Sequence, residues 1–339
     1  MFCKINNVKK SFLITLMAVC LLLSACKSKD GIFISTGLKE DELFKIGGSV
    51  CTIQEAELFL YTVRNQYESV YGKEIWNVSV DGQTLDMYIK DVVKQQLARI
   101  KCMYLFAKSE GIELEASQEQ QIEAAANEYF AGLSQDEIEG LDMTIDDVRN
   151  VYREYLYAEK IYTSLTNSVN VEISDDDARI ITIQYVRIAK NEENIDAKLE
   201  VAKKLKSQID QGEDFMKLAV EHSDDNEYEI KVKRGDMPKE VESVIFELVN
   251  NEVSNVIQTS KSLYIVKCIS DYNKEETAQN KIDLLKSAKE EAFNTKYEEY
   301  INTLPSEFND ELWNKISFSE KSIGTSQNFF EVYNKYFEN

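Results

Sequence analysis

Between Thr52 and Leu165 apolar side chains return every three or four positions, the spacing that lines one face of an α-helix. Ile53, Ala56, Leu60, Val63, Tyr67 and Val70 mark the first stripe, opened by a capping box at Thr52-Ile-Gln-Glu55 and closed at Gly72. A polar connection carrying Trp76 and Asp81-Gly82 leads to a broader stripe of Ile89, Val92, Val93, Leu97, Ile100, Met103, Tyr104 and Ala107, with Gly111 at its C-cap. Ser117-Gln-Glu-Gln120 and Thr144-Ile-Asp-Asp147 predict two further helix starts, the second followed by Val148, Val151, Tyr152, Tyr155, Leu156, Tyr162 and Leu165. Past Ala178 the period changes. Ile180 to Ile188 is rich in β-branched residues and predicts a strand. Leu199, Ala202, Leu205 and Ile209 predict a helix ending before Gly212, and Phe215, Leu218 and Ala219 a short one after it. Tyr228 to Arg234 alternates as a half-buried strand stopped by Gly235. Met237 to Leu248 reads as a helix started by Pro238, and Val256 to Thr259 and Leu263 to Ile269 as two closing strands. Helical spacing resumes from Lys274 to Leu304 through Ile282, Leu285, Ala288, Ala292, Tyr297 and Ile301, with Pro305 beyond its end. Phe308 to Phe318, with Trp313, is expected to pack back on the first helices, and 319–339 reads as a polar tail with aromatic residues.

These runs predict an α+β chain in which a small antiparallel sheet flanked by helices, residues 174–272, is inserted into a mainly helical domain made of 46–173 and 273–318. Two prolines and twelve glycines in 339 residues suit long helices and few tight turns. No internal repeat is present, and the charge runs read as solvated helix faces.

The first 25 residues have the layout of an export signal. Lys4, Lys9 and Lys10 form a positive region, Phe12 to Leu23 an apolar core too short to span a membrane as a mature helix, and Leu23-Ser-Ala-Cys26 resembles a lipobox. In that pattern Cys26 is acylated and becomes the first residue, with 26–45 a tether. The alternative is an ordinary signal peptide with a chance cysteine. The net charge of −21 becomes about −24 once the three lysines leave with the signal. Such a balance repels nucleic acid and anionic headgroups, so the lipid on Cys26 has to do the anchoring in the bilayer. Cys51, Cys102 and Cys268 remain, an odd number without the short spacing of a zinc site or a disulfide framework, and read as small buried hydrophobes.

The order strand, helix, helix, strand, helix, strand, strand resembles the parvulin type of peptidyl-prolyl isomerase domain. The motifs that carry the resemblance are G-E-D-F-x-x-L-A-x-x-x-S at Gly212 to Ser223, I-F-E-L at Ile245 to Leu248 and N-E-V-S at Asn251 to Ser254. Helices before and after such a segment are similar to the N-terminal chaperone module of PrsA-like and SurA-like foldases. The resemblance implies unfolded or extended polypeptides as clients, held in a groove of aliphatic and tyrosine side chains.

Rotation of an X-Pro bond meets a barrier of roughly 18–20 kcal/mol from amide resonance and needs no nucleophile, metal or cofactor. A site lowers the barrier by gripping the proline ring and favouring the twisted amide. In parvulins a Met and a Phe line the pocket, two histidines face each other from the first and last strands, and a Cys or Asp sits beside them. The resemblance puts Met237 on the family's methionine, Val241 where its phenylalanine belongs, Phe246 on the later core phenylalanine, Thr259 on the hydroxyl position and Asp225 on the Cys/Asp position. Tyr185 and Tyr264 stand at the two histidine positions, and the usual Gly-Gly-x-x-Gly loop before Met237 is missing. His222 is the chain's single histidine and falls near a helix C-terminus, where it suits the helix dipole.

Two readings of the tyrosines stay open: planar neutral donors in place of the imidazole pair, or strand residues that pack well on a sheet. The expectation is a membrane-anchored extracytoplasmic folding factor whose isomerase activity is weak or lost. The alternative is a scaffold lipoprotein that uses the parvulin fold for partner recognition. The sequence leaves the oligomeric state open. Other chemistries lack their motifs: there is no P-loop, H-E-x-x-H or G-x-S-x-G, and Asp175-Asp-Asp177 reads as a domain-joining turn or cap.

Overall fold

Two short apolar runs separated by Gly47-Gly48 form a hairpin, β1 (Glu42–Ile46) and β2 (Ser49–Thr52), with Gly47 at φ 55° in the left-handed region. The structure, a computed structural model, describes residues 37–80, 82–316 and 324–337, so the leader and Cys26 lie outside the described residues. From the hairpin the chain enters α1 (Ile53–Tyr71). The Thr52 hydroxyl accepts from the Glu55 N–H at 3.3 Å, and the Glu55 carboxylate accepts from the Thr52 N–H at 3.4 Å. A short hairpin, β3 (Ser79–Val80) and β4 (Gln83–Thr84), precedes α2 (Leu85–Ser109), α3 (Ala116–Ala131), α4 (Gln135–Leu141) and α5 (Ile145–Asn167). Then come α6 (Asp175–Ala178), β5 (Ile181–Ala189), α7 (Ile195–Asp210), α8 (Phe215–His222), β6 (Glu229–Val232), α9 (Lys239–Ile245), β7 (Ile257–Gln258) and β8 (Ser262–Ser270). The described chain finishes with α10 (Lys274–Ile301), β9 (Ser306–Phe308), α11 (Asp310–Lys315) and α12 (Phe329–Phe337).

The chain folds into two units, one built from residues up to 168 together with those from 293 onward, the other from residues 169–292. The first unit is helical, with a three-stranded sheet in the order β2-β1-β9 that brings β9 from far along the chain onto the first strand. Phe44 stacks on Phe308 across β1 and β9 with centroids 5.9 Å apart. Its core includes Leu43, Phe59, Val93, Ile122, Tyr152 and Phe329.

Within that core Lys101 of α2 is only 2% exposed, with its Nζ 2.8 Å from Glu55 of α1 and 2.6 Å from Glu154 of α5. Burial disfavours an ammonium, but the two carboxylates outweigh it and hold the Lys101 pKa above its usual value. One cation cannot fully balance two carboxylates so largely withdrawn from water. Burial therefore lifts Glu154 to about 7; Lys101 opposes this, while the neighbouring Glu55 charge adds to it.

The second unit has a four-stranded antiparallel sheet in the order β6-β5-β8-β7. Period-two alternation gives it two apolar faces. Ile183, Tyr185, Tyr264, Val266 and Cys268 pack with Val241 and Ile245 of α9 on one face. Val186, Ile188, Leu263 and Ile265 pack with Leu205 of α7 and Phe215 and Leu218 of α8 on the other. The N-E-V-S motif runs along β8: the Asn251 N–H donates to the Cys268 carbonyl, the Cys268 N–H to the Glu252 carbonyl and the Ser254 N–H to the Val266 carbonyl, at 2.8, 2.9 and 2.8 Å.

Several expectations are corrected. The tether expected to reach residue 45 gives way at Glu42, because Leu43, Phe44 and Ile46 are buried and β1 pairs on both edges. The stretch read as a polar tail contains α12, whose Phe329, Phe330, Val332 and Tyr333 are core residues. The helix expected to start at Ser117 starts at Ala116, with the Glu115 N–H donating to the Gln118 side chain at 3.0 Å. The helix after Met237 is shorter than expected, with Pro238 as its N-cap residue. Among the described residues no helix is long and apolar enough to cross a membrane.

Candidate active site on the β5–β8 face

Tyr185 on β5 and Tyr264 on β8 lie on the same face because Tyr185 pairs with Val266 and Arg187 with Tyr264, which makes the two tyrosines diagonal neighbours. Their ring centroids are 6.4 Å apart with planes inclined by 33°. Both are largely covered, at 7% and 8% exposure. Met237, half-buried, and Val241, buried, belong to the same apolar cluster.

Asp225 reaches this face through a loop sewn to β5. The Ser223 hydroxyl accepts from the N–H of Arg187 at 3.1 Å and of Asp225 at 3.3 Å, the Asp224 N–H donates to the Arg187 carbonyl at 2.8 Å, and the Asp224 carboxylate accepts from the Ala189 N–H at 2.8 Å. Arg187 then donates to Asp225 with both fork nitrogens, Nε at 2.8 Å and Nη2 at 2.6 Å. The sequence reading did not single out Arg187. Its signal was present all the same, a charged residue two places after Tyr185 and so on the same phase of the strand.

The electrostatics follow from these contacts. The Arg187 hydrogen bonds hold the Asp225 carboxyl below the usual range, against partial burial, with the Tyr185 hydroxyl helping. Burial and the neighbouring Asp225 push Tyr185 up to about 12. Burial also raises Tyr264. At neutral pH the site thus presents two uncharged phenols and a carboxylate already engaged by a guanidinium. That arrangement can donate hydrogen bonds, but it has no group that exchanges a proton near pH 7.

The remaining positions are placed differently. The Thr259 hydroxyl is occupied in the β7–β8 turn, donating to the Ser262 carbonyl and accepting from the Ser262 N–H, both at 3.0 Å. Phe246 is buried, with the Arg234 and Arg179 guanidinium carbons 4.5 and 5.3 Å from its ring centroid. His222 is the exposed last residue of α8. Cys268 is a buried residue of β8, and burial raises its thiol pKa. Among the described residues no group of three His, Cys, Asp or Glu side chains is placed to hold a metal ion.

A sheet of order β6-β5-β8-β7, with α7 and α8 behind and α9 in front, and paired rings beside an aspartate, defines a parvulin-type domain. Residues 181–270 match the Rotamase family model, described as a PPIC-type PPIASE domain, so the chain carries a domain of that family. Solved structures similar to this chain include the PrsA foldase of Streptococcus pneumoniae at 18% identity, covering 77% of this chain and 99% of that one with a TM-score of 0.31. PrsA of Bacillus cereus shows 15% identity, 76% and 97% coverage and a TM-score of 0.36. The foldase PrsA of Lactococcus lactis shows 14% identity, 86% and 98% coverage and a TM-score of 0.32. No curated protein matches the chain.

Proposed function

We propose that this protein is a folding factor of the peptidyl-prolyl isomerase family, held outside the cell membrane by acylated Cys26, that binds unfolded polypeptides and has weak or no isomerase activity of its own. The family match over 181–270 supports the polypeptide substrate class. The observation that carries the loss of catalysis is the Arg187–Asp225 pair beside the two phenols. It engages the carboxylate within the protein, so that this group is not free to hydrogen-bond a twisted amide, and both phenols are largely covered. The replacement of the family's pocket phenylalanine by Val241 supports the same reading, because less apolar surface is available to grip a proline ring.

Two assays on the full chain test it together. In a protease-coupled proline-tetrapeptide assay at low temperature the protein is expected to give no acceleration above the thermal rate. In a light-scattering assay with reduced lysozyme it is expected to suppress aggregation. Acceleration that disappears in Met237→Ala would contradict the loss of catalysis. Failure to suppress aggregation, with a stoichiometric protein partner recovered instead, would favour a non-catalytic scaffold.

A further inference from the structure

Residues 324–337 lie in the helical unit in a manner that resembles a bound peptide. Five of their backbone groups are held by side chains of earlier helices. The Ser326 N–H donates to Glu137 of α4 at 3.0 Å, and the Ser326 carbonyl accepts from Asn65 of α1 at 2.6 Å. The carbonyls of Gln327, Phe329 and Tyr336 accept from Gln66 of α1 at 3.3 Å, the Tyr152 hydroxyl of α5 at 2.7 Å and Gln121 of α3 at 3.0 Å. Side chains that hold a backbone read the presence of a chain whatever its sequence.

The aromatic residues supply the selectivity. Phe329 stacks on Tyr152 with centroids 4.6 Å apart and meets Tyr129 edge-on at 5.1 Å. Phe330 meets Phe59 edge-on at 5.5 Å, and Tyr333 meets Tyr155 edge-on at 4.8 Å while its hydroxyl donates to Glu159 at 2.6 Å. Beside them Glu128 accepts from Lys335 at 2.7 Å. At the mouth, a Cβ on Gly324, which sits at φ 147°, would overlap the Glu137 carboxylate. Glu137 itself is buried and also accepts from the Tyr61 hydroxyl and the Ser134 N–H; these hydrogen bonds overcome its burial and hold it down at about 2.

All the walls come from α1, α3, α4 and α5, which carry their own capping boxes and share one buried cluster with Phe329, Phe330, Val332 and Tyr333. We propose that this groove is a polypeptide receptor filled in cis by residues 324–337. A client segment of the same chemistry, small polar residues leading into Phe-Phe-x-x-Tyr with a cation after it, competes for it. The proposal rests on the client-binding reading above only for the identity of the competitor.

The test uses the full chain and a fluorescein-labelled peptide with the sequence of residues 324–337, read by anisotropy. In the intact protein the groove is occupied and the peptide binds weakly. In Gly324→Val, and in the double variant Phe329→Asp with Phe330→Asp, it binds about tenfold tighter or more, since apparent affinity scales with the fraction of empty groove. Hydrogen exchange of the amides of 326–337 reports whether the segment has left. Free exchange without a gain in peptide binding overturns the proposal, as does equal binding of a labelled peptide carrying Asp at both Phe positions. Tight binding in trans without protection of reduced lysozyme removes the client-binding reading and leaves the receptor standing.

Discussion

Arg187 decides what Asp225 can do. A carboxylate beside two aromatic hydroxyls could accept a substrate hydrogen bond, but this one receives both nitrogens of a guanidinium. Replacing Arg187 by Met is expected to cost about 1 kcal/mol, because the pair is well aligned yet partly exposed. The folded Asp225 pKa is depressed, so its contribution is present above the unfolded value of about 3.9 and is lost as pH falls through the folded pKa. Urea melts of wild type and Arg187→Met should therefore differ at pH 7 and begin to converge only as pH falls below about 4, meeting once it has passed the folded pKa. The two phenols predict a second outcome. With Tyr185 up to about 12 and Tyr264 also raised, neither ionises near neutrality, so proline-peptide affinity at this face should be flat between about pH 5 and 9 by anisotropy. Tyr185, Tyr264, Asp225, Met237 and Val241 were named through the family resemblance, and the structure places Tyr185, Tyr264, Met237 and Val241 in one apolar cluster with Asp225 beside it. Arg187 was passed over because a strand reading by β-branched content ignores which phase a charge occupies. Thr259 could be placed beside the last strand, but the use of its hydroxyl within the turn depends on tertiary geometry.

The pairing of β5 with β8 came only with the structure, whereas long helices and the strands β5 and β8 were legible because their periods run for many residues and Thr52 and Thr144 announce helix starts. The β2-β1-β9 sheet was not, since its strands are short and β9 arrives from far along the chain. Gly47-Gly48 between two apolar runs was a hairpin signal that went unread. Nor was α12 assigned, although Phe329, Val332, Tyr333 and Tyr336 keep helical spacing. The contact among α1, α2 and α5 at Lys101 yields the sharpest stability prediction. Lys101→Met leaves the buried Glu55 and the half-buried Glu154 without a cation and should cost about 3 kcal/mol, read by chemical denaturation. The same cluster sets a pH dependence of opposite sign to that of Asp225. Because the folded Glu154 pKa is raised to about 7, the folded state holds a proton that the unfolded state releases above about 4.3. The cluster's contribution therefore falls as pH rises between these values, and Glu154→Gln should stabilise the protein at pH 8 while changing little at pH 4.

The two units are joined so that the parvulin-type segment interrupts a helical one whose core draws on both ends of the chain. The anchor belongs to this level too. If Cys26 carries the lipid, Cys26→Ser should move the protein from the membrane pellet to the soluble fraction without changing its melting temperature, measured by fractionation and calorimetry. The central claim is that a parvulin-type face binds a polypeptide without turning its prolines. It is tested most directly by exchange spectroscopy in solution NMR on a proline-containing peptide saturated with the full chain. The account predicts shifted resonances for the bound proline together with a cis–trans exchange rate equal to that of the free peptide. Exchange accelerated well above the free rate, and returned to it by Met237→Ala, would contradict it.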